Sequence, residues 1–318
     1  MRAVRFHEHG GPEVLRVDDI DRPDLNDDEL LVSVRTTAVN PVDTYFREGS
    51  YRPGDLPWIP GSDFAGVVEA VGVDVEEFAE GDRVFGTGLG NDRPGTCAEY
   101  VATPTDRVAH LPEGVGFDEG AAVALVGVTA WRALVDHAGL EPAESCLVHG
   151  GSGGVGHVAV QLAAATGARV TTTASGQYHD RLDALGTRTV LDYARDDLAD
   201  AVREAGEPNV ILDHRLDDYL QFDADVAAQG ARVVGIGNED VEAGFENVPA
   251  ARSKELTVTL MSMFNTPDIS AVLARLARLV ADGKIVPEIA QVYSLDEVDA
   301  AQRDVIEESF LGKLVVEP

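Results

Sequence analysis

The segment Gly151-Ser152-Gly153-Gly154-Val155-Gly156 has the residue types and the spacing to hold a phosphate group. Its glycines fit G-x-G-x-x-G, in which one makes a tight turn, one lets backbone approach a pyrophosphate, and one lets a helix pack closely on a strand. The apolar run Cys146-Leu147-Val148 precedes it, through His149-Gly150. Val155, Val158, Ala159, Leu162 and Ala165 follow at helical spacing, and Gly167 closes them. A helix starting there would offer free N–H groups and its positive dipole end to an anion. A second strand pattern, residues 168–173, comes next. Strand, glycine turn, helix and strand in that order read as a dinucleotide-binding unit. The second strand ends in Thr172-Thr173-Ala174-Ser175. No acid stands there to take ribose hydroxyls, which leaves room for the extra phosphate of NADPH. Tyr178, His179 and Arg181 follow closely enough to face it.

Other candidates fall away. The eight histidines show no metal-ligand spacing, and His149 reads as a packing residue at a strand end. Cys97 and Cys146 read as buried small residues, too few for a disulfide framework or a four-thiolate zinc site. Ser152 lacks the strand-elbow context of a hydrolase nucleophile and reads as a phosphate contact.

The elements that must position this turn are legible around it. Residues up to about 120 are β-rich, with strand patterns at 29–35, 64–71 and 97–102 broken by Gly- and Pro-containing turns. From Ala121 helices alternate with apolar strands at 146–149, 169–173, 189–191, 209–213, 232–235 and 256–260. Six such strands suit a doubly wound parallel sheet. The tail carries a helix at 270–281 and an edge-strand pattern at 312–316. It is too short to fold alone and is expected to complete the first domain.

Asp and Glu number 56 against 25 Lys and Arg, a net charge of −31, and lysine occurs only at Lys254, Lys284 and Lys313. The acids are scattered, as in Asp27-Asp28-Glu29 and Asp196-Asp197. With 44% hydrophobic residues the chain is that of a globular protein, not a disordered one. Acid over a whole folded surface suits very high salt, where the Debye length is about 3 Å at 1 M and self-repulsion is screened. The same charge argues against nucleic acid and anionic membrane as partners. No apolar run is long enough for membrane insertion. Residues 1–6 read as a strand with alternating faces rather than a signal peptide, and with only two cysteines a reducing cytoplasm is the simplest expectation.

Several motifs in one order then point to a family. Asn40-Pro41-Val42-Asp43, Arg47-x-Gly49-x-Tyr51, Pro60-Gly61-Ser62-Asp63-Phe64-Ala65-Gly66, Gly81-Asp82-Arg83-Val84, Gly127-Val128-Thr129-Ala130 and the glycine turn occur in sequence. The whole chain resembles the medium-chain dehydrogenase/reductase superfamily, within it the zinc-free quinone oxidoreductase (zeta-crystallin-like) branch. Zinc relatives carry a cysteine ligand at the place of Asn40 and Gly-His-Glu at Gly61-Ser62-Asp63, and this chain lacks their four-cysteine lobe. The resemblance implies an α/β fold: a Rossmann doubly wound parallel sheet, residues 121–265, inserted in a β-rich GroES-like catalytic domain, residues 1–120 and 266–318.

It also implies a zinc-independent, NADPH-dependent reductase acting on a quinone or an α,β-unsaturated carbonyl. The alternatives are an enoyl-thioester reductase, or a nucleotide-binding protein with little turnover. Asn40 and Thr129 match positions beside the nicotinamide, Tyr193 a tyrosine beside the 2′-phosphate, and Lys313 a basic position near the cofactor. Tyr178 replaces the family's usual basic residue. Gly237, Asn238 and Phe264 are expected along the cofactor, with Gly151 to Gly156, Ser175 and Arg181 at its phosphates. Tyr51 matches a proton-donor tyrosine of the enoyl reductases, and Tyr45 is the second polar aromatic of that loop. Asp43 is expected to order the loop by pairing with Arg47. Residues 257–262 form an apolar strand with nothing to blunt its edge, and in relatives this strand pairs in a homodimer.

Overall fold

A computed structural model describes all residues from Met1 to Pro318. The chain divides into two units. Met1–Val128, Pro267–Gly283 and Pro287–Pro318 form the first, and Thr129–Thr266 with Lys284–Val286 the second.

In the first unit the alternating start of the chain becomes β1 (Arg2–Phe6), with Ala3, Val4 and Phe6 buried, paired antiparallel to β2 (Leu15–Asp19). β3 (Glu29–Ala38) is long enough to serve several partners. The helix α1 (Pro41–Glu48) follows it, then β4 (Asp63–Val71), β5 (Arg83–Gly86), β6 (Tyr100–Pro104) and β7 (Val108–His110). Helix α2 (Phe117–Trp131) leads into the second unit.

There β8 (Ser145–Val148), α3 (Gly154–Thr166), β9 (Arg169–Thr173), α4 (His179–Ala184), β10 (Thr189–Leu191), α5 (Leu198–Gly206), β11 (Val210–Asp213), α6 (Leu216–Val226), β12 (Arg232–Gly235), α7 (Val248–Ser253) and β13 (Thr257–Leu260) alternate. The chain returns to the first unit with α8 (Ile269–Ala281), β14 (Ile289–Ser294), α9 (Val298–Glu307) and β15 (Lys313–Glu317).

The first unit's larger sheet runs β14-β15-β3-β4-β5-β7, with β6 also on β3. Leu30, Val32 and Val34 of β3 pack with Phe64, Val68, Val84 and Leu89 under it. α8 starts on Asp268, whose carboxylate accepts the Ala271 N–H at 2.8 Å. It buries Ile269, Val272, Leu273, Leu276 and Ala277, an i, i+3, i+4 stripe. The expected edge strand at 312–316 is β15, and it is not an edge. β14 covers one side and β3 the other, and Leu314, Val315 and Val316 are buried. The sequence pattern of β14, exposed along much of its length, carried no strand signal strong enough to show this.

The second unit's sheet is parallel throughout, in the order β10-β9-β8-β11-β12-β13. Helices on both faces require strands apolar on both sides. β8 and β11 are buried at every residue, as this demands. Leu147, Ile211 and Val233 are fully buried; each such side chain contributes about 1.5–3 kcal/mol. Strand order reverses between β8 and β11, where ligands of such sheets bind beyond the carboxyl ends of the strands. β13 has β12 as its one neighbour, and Leu260 on it is 75% exposed. No helix is long and apolar enough to cross a membrane.

Candidate functional site

The glycine turn lies between β8 and α3, where the strand-to-helix switch needs it. Gly150 adopts φ +67°, closed to most side chains. The end of β9 pins the turn: Gly150 N–H donates to Thr173 Oγ1 at 3.1 Å and Gly151 N–H to the Thr173 carbonyl at 2.8 Å. A Cβ on Gly151 would fall 2.1 Å from Thr172 Oγ1, and one on Gly156 would fall 2.1 Å from the Gly150 carbonyl oxygen. Gly153 caps α3 without a side chain to bond the first turn, so the N–H groups of Gly154, Val155 and Gly156 have no intrahelical acceptor. Close backbone, free donors and the positive helix end together fit a pyrophosphate.

Around it, Thr172 and Thr173 are spent on structure; Thr172 Oγ1 donates to the Val148 carbonyl at 2.7 Å. Ser175 Oγ donates to the Tyr193 hydroxyl at 3.2 Å, which joins two of the expected phosphate residues. Tyr178 is half-buried and Arg181 exposed nearby on the chain. One residue escaped the sequence reading. Asp192, just past β10, lies with its Oδ2 3.8 Å from where a Cβ on Gly176 would be. It belongs to the neighbouring strand, so no local motif announces it. Gly237 and Asn238 follow β12, and the Gly237 carbonyl accepts the Leu216 N–H at 3.1 Å. Phe264 sits in the short turn after β13. Thr129 is buried in the last turn of α2, and the helix continues as a π-turn at Arg132–His137.

At the ends of β8 and β11 lies a buried acid–base cluster. His149 Nε2 meets Asp223 Oδ1 at 2.8 Å, and Tyr219 stacks on the imidazole at 4.4 Å. Burial opposes a charged His149, but Asp223 outweighs it and holds the imidazole above its usual range. Burial, then repulsion from Asp223, pushes Asp213 up to about 7. The packing role read for His149 thus includes a buried ion pair.

In the first unit, Asn40, Asp43, Asp63 and Lys313 converge, each at most 3% exposed. Asp43 Oδ2 accepts the Asn40 N–H at 2.8 Å and so fixes the start of α1. Asn40 Nδ2 donates to Asp63 Oδ2 at 2.8 Å, while Asn40 Oδ1 accepts from Lys313 Nζ at 2.5 Å. Lys313 also donates to the Val39 carbonyl at 2.7 Å and lies 3.9 Å from Asp63 Oδ2. Its ammonium is therefore committed inside the first unit, and burial lowers its pKa against the pull of Asp63 and Asp43. Burial raises Asp63 and pushes Asp43 up to about 7.

The expected Asp43–Arg47 pair does not form. Asp43 turns back onto the Asn40 N–H as the acid of a capping box, and Arg47 turns to Glu48, Gln302 and the Gly10 carbonyl. Tyr45 is half-buried and Tyr51 56% exposed, their rings 6.0 Å apart edge to face, with Tyr51 N–H on the Tyr45 carbonyl at 3.2 Å.

A zinc ion does not fit this set. Both ends of the Asn40 amide are bonded, Ser62 Oγ donates to the Leu89 carbonyl at 2.8 Å, and Asp63 is held by Asn40, the Leu125 N–H and Lys313. No group of three or more His, Cys, Asp or Glu side chains is placed to hold a metal. Burial pushes the Cys146 thiol up to about 12 and holds that of Cys97 above its usual range, so neither is a thiolate.

Residues 26–113 match the alcohol dehydrogenase GroES-like domain, and residues 185–316 the zinc-binding dehydrogenase family. The human quinone oxidoreductase is 36% identical over 324 aligned positions, covering 99% of this chain and 97% of that protein. An NAD-dependent alcohol dehydrogenase structure superposes with a TM-score of 0.91 at 31% identity, each chain covered in full. The Escherichia coli quinone oxidoreductase solved with NADPH gives a TM-score of 0.90 at 28% identity, again over the whole of both chains. With the glycine cradle on its parallel sheet and the β-rich unit around Asn40, the chain belongs to the quinone oxidoreductase branch of the medium-chain dehydrogenase/reductase superfamily.

Proposed function

We propose that this protein is a zinc-independent, NADPH-dependent reductase of quinones or α,β-unsaturated carbonyls. The observation that carries the reading is the glycine turn, where Gly151 and Gly156 pack against Thr172 and Gly150 with room for no side chain and so hold the free N–H groups at the start of α3 toward a pyrophosphate. Gly151 to Gly156 would hold the diphosphate, and Ser175, Tyr178, Arg181 and Tyr193 the adenosine end. Gly237, Asn238, Phe264 and Thr129 would line the rest. When bound, NADPH supplies a hydride. What the chain's own residues add is mostly position. Asn40, tied at both ends, acts as a fixed wall rather than as a mobile donor. The exposed phenol of Tyr51, braced on Tyr45, orients the acceptor carbonyl and can donate a proton to it. Quinones take that proton from water instead.

The bare edge of β13, with Leu260 and Val258 exposed, supports a homodimer paired along that strand. Two buried free thiols suit a reducing cytoplasm. The test is NADPH oxidation, followed in molar KCl, against a panel of quinones, enones and enoyl thioesters. Turnover on a quinone or enone supports the reading, and turnover confined to enoyl thioesters or absent on every acceptor overturns it.

A further inference from the structure

We infer that Asp192 is a specificity residue at the adenosine ribose, supplying from β10 the acid that β9 lacks. This rests on the dinucleotide reading above. In a sheet of this kind the ribose-binding acid stands about 20 residues past the fingerprint, at the end of the second strand. Here β9 ends at Thr173, no acid follows through Ser175, and the next residue is Gly176. A Cβ on Gly176 would meet one atom within 4 Å, Asp192 Oδ2 at 3.8 Å. The missing side chain leaves the space into which the neighbouring strand's carboxylate reaches.

The carboxylate is held in place. Leu191 is level with Thr173 in the β10–β9 pairing, and the Ala174 N–H donates to the Leu191 carbonyl at 3.0 Å, so Asp192 emerges beside the end of β9. Asp192 Oδ1 accepts the Ala194 N–H at 2.8 Å, which closes a turn and fixes the side chain. The competing acceptors at the end of β9 are already used, since Thr172 bonds Val148 and Thr173 takes the Gly150 N–H. Ser175, beside Gly176, and Tyr193, next to Asp192 in sequence, are bonded to each other and offer hydroxyls but no charge.

A carboxylate in this position accepts the hydroxyls of an unphosphorylated ribose and repels a 2′-phosphate. NADPH therefore binds here against a local penalty of about tenfold, the size of one close like-charge contact in a partly wet site. The protein accepts NADH as well as NADPH, and Asp192 limits the preference between them.

The experiment is equilibrium fluorescence titration of the full chain with NADPH and with NADH at 1 M KCl. Wild type, Asp192→Asn, Asp192→Ser and Gly176→Asp are compared, with a thermal melt confirming each fold. Asparagine keeps the Oδ1 acceptor for Ala194, so the turn should survive. The expected result is an NADPH Kd about fivefold to tenfold lower in Asp192→Asn and Asp192→Ser, and an NADH Kd several-fold higher. Gly176→Asp, which adds a second acid in open space, should weaken NADPH. If both dinucleotides bind wild type and their ratio is unchanged in the Asp192 variants, the assignment to Asp192 is wrong while the dinucleotide reading stands. If neither dinucleotide binds folded wild type, the underlying reading fails.

Discussion

Gly156→Ala sets one added atom against the backbone of the glycine turn itself. Its new Cβ would stand 2.1 Å from the Gly150 carbonyl oxygen and 2.8 Å from Gly151 Cα. Both are backbone atoms, so no side chain can swing aside, and α3 must move off the turn by about 1 Å. Overpacking of that kind costs about 1–3 kcal/mol. A shift of about 2–4 °C per kcal/mol places the fall in Tm at about 2–12 °C. Binding should suffer more than stability, because the moved atoms are the phosphate donors. A 1 Å error there is expected to weaken NADPH about 10–100-fold.

Two neighbours grade the effect. On Gly151 the clash is with the Thr172 hydroxyl at 2.1 Å, so Thr172→Ala should recover part of the loss in Gly151→Ala. On Gly153 the nearest atom is 3.3 Å away, so Gly153→Ala should cost little stability beyond a poorer helix cap, but its methyl would stand where the pyrophosphate approaches and should weaken NADPH. NADPH titration and calorimetry in molar KCl measure the series. A Gly156→Ala protein with wild-type Kd and Tm would refute the cradle reasoning.

Tyr51→Phe should lower kcat on enones about tenfold or more with NADPH affinity nearly intact, and should affect quinones less; unchanged turnover on every acceptor would reduce Tyr51 to pocket lining. The −31 charge predicts a Tm that rises steeply between 0.1 M and molar KCl, and a flat melt across that range would contradict it. Asp43, raised by burial from 3.8 to about 7, contributes stability that is full below about pH 4 and is lost as pH rises through 7. Asp43→Asn should therefore gain Tm relative to wild type between pH 5 and pH 8, and a constant difference between the two proteins would count against the buried charge.

The second unit was the legible part of the chain. Each of its six strands lies within a residue of where the sequence pattern puts it; β8, β9, β11 and β12 are buried at all or all but one position, which leaves their pattern undiluted, while β10 and the exposed β13 are placed by the alternation of helices and strands around them. The first unit was harder. β2, β5, β7 and β14 are short or half-exposed, so alternation over three to six residues carried too little signal. β15 looked like an edge because its partner β14 was invisible. Of the candidate site, the glycine turn is a local motif and could be read. Asp192 and the commitment of Lys313 to Asn40 are products of strand neighbours and of contacts 273 residues apart, which no spacing encodes.

The place of β15 bears on how the protein is made. Chains emerge from the ribosome N-terminus first. The second unit is nearly contiguous and has all of its residues once Val286 is out. The first cannot close: β3 waits for the strand that covers its Thr37–Ala38 end, and Asp43 and Asp63 wait for Lys313. Until that strand arrives, both carboxylates stay in water. A chain released a few residues short would carry one folded lobe beside an open sheet with two acids and no cation to bury them against.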